Sequence, residues 1–153
     1  MARTKLMPDD IRRECLSIVS GYHRRLREYY TKRREIMDHS PQRFVEVGDE
    51  WVYPPSSHDA ARTAENIALT LEALERQYET KKMRAVEYAR QRIGGDLPDC
   101  DLKRRLVDAI MLNCRSGRKF PYSCFDLTGI EKTNFYDRRG DFLMDIAKYL
   151  GMM

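Results

Sequence analysis

Glycine and proline are scarce in this chain, eight and six among 153 residues. Both interrupt regular backbone, so their scarcity argues against a turn-rich architecture and favours long helices with wide solvated faces. Cys15, Cys100, Cys114 and Cys124 contain no C-x-x-C pair, and His23, His39 and His58 stand alone. Metal-ligand spacing is therefore missing, no metal or other cofactor is expected, and the thiols read as structural or incidental. No apolar run approaches membrane-spanning length, and Met1-Ala2-Arg3-Thr4-Lys5 leads into a charged helix rather than an apolar leader. The expectation is a chain with no membrane partner in a reducing cytoplasm. No acid/base couple, no histidine near a nucleophile and no glycine-rich phosphate loop is visible, so no catalytic residue is assigned and an enzyme is not expected.

What is present is charge and helical periodicity. Charged residues make up 34% of the chain and hydrophobic residues 42%, with 28 Lys and Arg against 24 Asp and Glu. The surplus is uneven: residues 1–38 carry ten basic and six acidic side chains, residues 39–99 eight and eleven, and residues 100–153 ten and seven. The length suits one compact domain or a small domain with a helical appendage.

Pro8-Asp9-Asp10 forms a turn-like start with acidic residues where a helix N-terminus favours them. Ile11, Cys15, Ile18, Tyr22, Leu26, Tyr29 and Ile36 then recur mostly at threes and fours, which predicts one long amphipathic helix over about 9–38. Its basic residues, from Arg12 to Arg34, suit a solvated face and are also available to a nucleic acid. His39-Ser40-Pro41 ends this helix, and in the connection 39–57 the alternation from Phe44 to Tyr53 around Gly48-Asp49 is compatible with a short hairpin or an ordered loop. Trp51 is expected to pin that connection onto the helices. Ala60, Ala64, Ile67, Leu71, Leu74, Tyr78, Ala85 and Tyr88 predict a second helix over about 58–93, capped by Ser57 or Asp59 and ended by Gly94-Gly95. Joined by one connection, the two helices would pack as an antiparallel hairpin, each on the order of 45 to 50 Å long at about 1.5 Å per residue. A seam that narrow calls for a second copy or for the C-terminal helices to cover it, and a homodimer is the expected state.

After a linker at 96–100, Leu102, Leu106 and Ile110, widened by Val107 and Met111, predict a third helix to about Asn113. Gly117 breaks the chain. Beyond it, Ser123 to Leu127, Gly129 and Ile130 fit the three parts of a helix-turn-helix: a short first helix, a turn glycine able to adopt positive φ, and an apolar clip. The following helix would expose Lys132, Thr133, Asn134 and Tyr136 to the major groove and bury Phe135 behind them. Arg138 and Arg139, with Arg118 and Lys119 on the other side, would approach backbone phosphates. Phe142, Leu143, Ile146, Ala147 and Leu150 return to the core at helical spacing. The expected architecture is all-α: a long helical hairpin over 1–95 followed by a helix-turn-helix DNA-binding domain over 96–153.

The runs Asp101-Leu102-Lys103-Arg104-Arg105-Leu106, Arg118-Lys119-Phe120-Pro121-Tyr122 and Thr133-Asn134-Phe135-Tyr136-Asp137-Arg138-Arg139-Gly140-Asp141-Phe142 resemble the RinA-like and ArpU-like phage regulators of Gram-positive bacteria. The ending Phe142 to Gly151 and the segment Ser57 to Ala64 are similar to theirs as well. The resemblance implies a phage or prophage transcription regulator with a sigma-factor-like helix-turn-helix, double-stranded DNA as its partner and host RNA polymerase as a candidate second one. By position, Thr133, Asn134 and Tyr136 would face DNA, supported by Arg138 and Arg139. Glu131 and Asp137 depart from that pattern by placing acidic charge beside the DNA face. A helical protein-protein interaction module and a DNA-binding phage packaging subunit of small-terminase type are the alternatives.

Overall fold

The computed structural model describes residues 7–38, 45–47, 50–52, 57–117 and 119–153. The fold is all-helical apart from one small hairpin. Helices α1 (Asp9–Ser20) and α2 (Tyr22–Asp38) are followed by strands β1 (Val45–Val47) and β2 (Glu50–Val52). Helices α3 (Ser57–Arg76), α4 (Tyr78–Arg92), α5 (Cys100–Arg115) and α6 (Lys132–Tyr149) complete the chain, with a 3-10 turn at Tyr122–Cys124 before the last. Among the described residues no helix is long and apolar enough to cross a membrane.

Two helices expected to be continuous are interrupted. Over 9–38 the break falls at Gly21, whose N–H closes α1 by donating to the Ser17 carbonyl at 3.0 Å, while the Ser20 hydroxyl bonds back to the Leu16 carbonyl at 3.0 Å. Glycine has low helix propensity and a back-bonding serine competes with the helical ladder, so the two together favour an interruption here. Over 58–93 the break falls at Gln77, whose N–H reaches the Leu74 carbonyl at 3.2 Å, three residues back rather than four.

The chain divides into two compact units, one built from residues up to His23 together with Lys81–Met153, the other from Arg24–Thr80. The division therefore runs through α2 and α4 instead of falling between 95 and 96. In the first unit α1 packs against α5 and α6, and α5 against α6. Its core joins Cys15, Ile18 and Val19 of α1 with Met83, Val86 and Ala89 of α4, Leu106, Ala109 and Ile110 of α5, and Phe135, Phe142, Leu143 and Ile146 of α6. Burial and the neighbouring Glu14 carboxylate push the Cys15 thiol up to about 11, so it stays protonated. Asp99 caps α5, accepting from the N–H groups of Asp101 at 2.9 Å and Leu102 at 3.4 Å. At Gly94, φ is +69° and a Cβ would lie 3.2 Å from Lys103 Cγ, so only glycine fits this corner between α4 and α5 without strain.

The second unit has a thin core. Among its described side chains Tyr29 and Leu74 are the buried hydrophobics, accompanied by Arg25 and Thr80. Arg25 pairs with Glu79 at 2.8 Å, and the Tyr29 hydroxyl donates to Glu75, so the two helical segments run in opposite directions along this seam. Strands β1 and β2 pair antiparallel with Val45 opposite Val52, Glu46 opposite Trp51 and Val47 opposite Glu50. The hairpin is the outcome of the two arrangements compatible with the sequence. Its turn, the Trp51 side chain and the cap of α3 lie outside the described residues.

Candidate nucleic-acid interface

The first helix expected of the helix-turn-helix is not formed. Residues 123–127 contribute a single 3-10 turn, Tyr122–Cys124, after which Phe125 is extended at φ −110° and ψ 139°. Tyr122 and Phe125 both fold onto Phe135, with ring centroids 5.6 and 5.9 Å away, and beyond the turn the Asp126 carbonyl is taken by the Arg105 side chain at 3.1 Å. The helix that precedes α6 is therefore α5, and residues 116–131 connect them.

This connection is held at several points. Buried Asn113 donates its side-chain amide to the Phe120 carbonyl at 2.8 Å, Arg105 donates to the Asp126 carbonyl at 3.1 Å, and the Tyr122 hydroxyl donates to the Ile130 carbonyl. Gly129 adopts φ +88° as the turn requires, and Ile130 behind it is buried. These anchors set the start of α6. Glu131 is the N-cap residue, makes no side-chain cap bond, and accepts the Phe135 N–H at 2.9 Å. No acidic residue lies within the first turn itself, and the Glu131 side chain makes no bond to its free N–H groups.

The eight residues expected to contact DNA part ways in the structure. Lys132, Thr133 and Asn134 share the first turn of α6 and are exposed, while Phe135 behind them is completely buried. Lys119 is exposed in the connection, and Arg118 lies outside the described residues. Tyr136 is half-buried: its ring meets Phe135 edge-on at 5.1 Å, and its hydroxyl oxygen accepts from the Tyr122 N–H at 3.4 Å. It is placed to hold the connection. Arg139 is 3% exposed, so its expected grip on a phosphate does not fit this arrangement. It sits four residues after Phe135 and three before Phe142, on the stripe that faces the core.

Arg138 is committed elsewhere. Its Nη1 and Nη2 donate to the two Asp96 carboxylate oxygens at 2.8 and 2.7 Å, and its Nε donates to Asn134 Oδ1 at 2.6 Å. These bonds hold the Asp96 carboxyl down at about 2, with the Arg138 hydrogen bonds the largest cause. Beside the pair lies a cavity of about 140 Å3 lined by Arg92, Ile93, Gly94, Asp96, Arg138, Asp141, Phe142 and Asp145. Of its lining residues, Arg92 also meets Asp145 at 3.3 Å and the Tyr88 hydroxyl at 3.0 Å.

No protein-family model, curated protein or solved structure matches this chain. The residues that sequence reasoning missed are Asp96, Asn113 and Tyr122. Asn134 and Arg138 lie one helical turn apart and were open to pairing by spacing alone. Asp96 comes from a corner 42 residues away, where a short-range pattern carries no signal. Among the described residues no group of three histidine, cysteine or acidic side chains is placed to hold a metal ion.

Proposed function

We propose that the chain is a sequence-specific DNA-binding transcription regulator of phage or prophage type, and that the first turn of α6 enters the major groove. The observation that carries this reading is the exposure of Lys132, Thr133 and Asn134 on a helix start whose next residue, Phe135, is fully buried. Such a start presents a cation, a hydroxyl and an amide on a fixed backbone, the residue types suited to base edges and phosphates. Lys119 adds a second cation for the phosphate backbone, and Tyr136, Arg138 and Arg139 support the helix. The resemblance to RinA-like and ArpU-like regulators points to double-stranded DNA, with host RNA polymerase as a candidate further partner, while the narrow helical seam favours a homodimer and the cysteine usage a reducing cytoplasm.

Enrichment of bound fragments from a random DNA pool at physiological salt tests the proposal. A defined motif, with binding that weakens steeply as salt rises, is expected, and a palindromic motif would add a dimer. Retention of no DNA at any salt would remove the reading.

A second reading is favoured by the Arg24–Thr80 unit, where Tyr30, Met37, Leu69 and Tyr78 are each about half exposed. Apolar side chains around a thin core suit a helical module that binds another protein or a second copy of this chain.

A further inference from the structure

We infer that Asp96 and Arg138 are positioning residues that fix Asn134 as a hydrogen-bond donor, so that the chain reads a guanine rather than an adenine at the base it faces. The inference rests on the proposed role of the α6 start in DNA recognition.

An asparagine side chain is ambidextrous: its oxygen accepts, its NH2 donates, and rotation about its last bond exchanges them. The bidentate asparagine contact to adenine uses both, donating to N7 and accepting from the exocyclic amine. Asn134 is not at liberty to do this. Arg138 Nε carries a hydrogen and can only donate, so the Asn134 oxygen must turn toward it, as the 2.6 Å contact shows. The amide nitrogen is then turned away from Arg138, on a side chain that is exposed on the first turn of α6. Arg138 is itself prevented from turning, because both of its terminal nitrogens are engaged by Asp96 at 2.8 and 2.7 Å. A planar guanidinium bound at three of its five N–H groups has one orientation available.

Guanine presents two acceptors, N7 and O6, in the major groove, and both are served by an NH2 group. Adenine offers N7 beside an amine and thymine a single carbonyl, O4, so each can accept from only one of the two N–H groups, while cytosine offers only an amine. An arginine tied to a carboxylate in this way also contributes no phosphate contact. Asp96 therefore acts on the base preference without touching DNA.

Motif selection from a random pool is compared for the full chain and for three variants: Asn134→Ala, Asp96→Ala and Arg138→Met, the last keeping the alkyl stem. The side chain of Asp96 is 66% exposed, so its removal leaves the fold in place. One position of the motif is expected to prefer guanine in the parent protein and to lose that preference in Asn134→Ala. At the same position Asp96→Ala should lower the guanine preference by about tenfold, the size of one good base contact. Arg138→Met, which frees the amide to rotate, should admit adenine there. The salt dependence should stay unchanged in Asp96→Ala.

An adenine preference in the parent that Asn134→Ala abolishes would overturn the inference. So would a guanine preference that survives both Asp96→Ala and Arg138→Met. Tighter binding of Asp96→Ala to all sequences, with a salt slope steeper by about one, would show Arg138 released onto a phosphate and would also overturn it. Failure of the parent protein to bind any DNA would instead remove the proposed function, and this inference with it.

Discussion

Replacing Phe135 by alanine separates the two halves of the case made for α6, its anchoring and its exposed start. Phe135 is fully buried and contacts the rings of Tyr122, Phe125 and Tyr136, so the substitution removes both apolar burial and three aromatic neighbours. Truncating a buried phenylalanine costs about 3–5 kcal/mol, from lost transfer energy and the cavity left behind. The upper half of that range is expected because the neighbouring rings belong to a connection tied down at Asn113, Arg105 and Ile130, which restricts collapse into the void. Against a total stability of about 5–15 kcal/mol this is a large fraction. Phe135→Leu retains most of the apolar contact and is expected to cost about 1–1.5 kcal/mol. Urea unfolding followed by far-ultraviolet circular dichroism measures both, with the alanine variant showing a lower midpoint at an unchanged slope. A loss below about 1 kcal/mol for Phe135→Ala would refute the view that this ring fixes the start of α6, and with it the reason for treating Lys132 to Asn134 as preorganised.

Four further outcomes are expected. Lys132→Ala and Lys119→Ala should each weaken binding across all DNA sequences and reduce the salt slope by about one, measured by titration at several salt concentrations; an unchanged slope would take that lysine out of the interface. Arg139→Ala should lower stability by about 1–3 kcal/mol through loss of a buried polar group, read by thermal unfolding, and leave the salt slope alone. In thiol titration with a disulfide reagent near pH 8, the exposed Cys100 and Cys124 should react readily, whereas buried Cys15, with its thiol held up at about 11, and buried Cys114 should react only on unfolding. The Asp96 carboxyl is depressed relative to an unfolded chain, so its link to Arg138 should persist above about pH 4 and be lost as pH falls through about 2; carboxyl chemical shifts report this directly, and titration at an ordinary carboxylate value would contradict the pairing.

How far the sequence carried depends on the range of the interaction concerned. The helices of the C-terminal third follow from spacing, since Leu106 and Ile110 of α5 and Phe135, Phe142, Leu143 and Ile146 of α6 are all buried as periodicity demands. The positive φ at Gly129 and the buried Ile130 after it were equally local signals. Arg139 was legible too: its distance from Phe135 and Phe142 places it on the core stripe, but arginine chemistry suggested the surface. The single 3-10 turn in place of a helix at 123–127 was not legible, because the segment is held by residues distant in sequence, Phe135 beneath its rings and Arg105 at the Asp126 carbonyl. The breaks at Gly21 and Gln77 are one-residue events inside strong periodic patterns, which average over such positions. The association of Asp96 with Arg138 depends on how the α4–α5 corner meets α6, which no local pattern encodes.

The packing of α1 against α5 and α6 has a consequence for synthesis. Cys15, Ile18 and Val19 are synthesised well before one of the helices that shelter them, α6, which is completed only at Tyr149. At about 5–20 residues per second the nascent chain carries an uncovered apolar face for on the order of ten seconds before its partners exist. The contacts of α1 with α5 and α6 join segments distant in sequence, so the entropy of closing the chain between them slows this docking relative to the formation of the helices themselves.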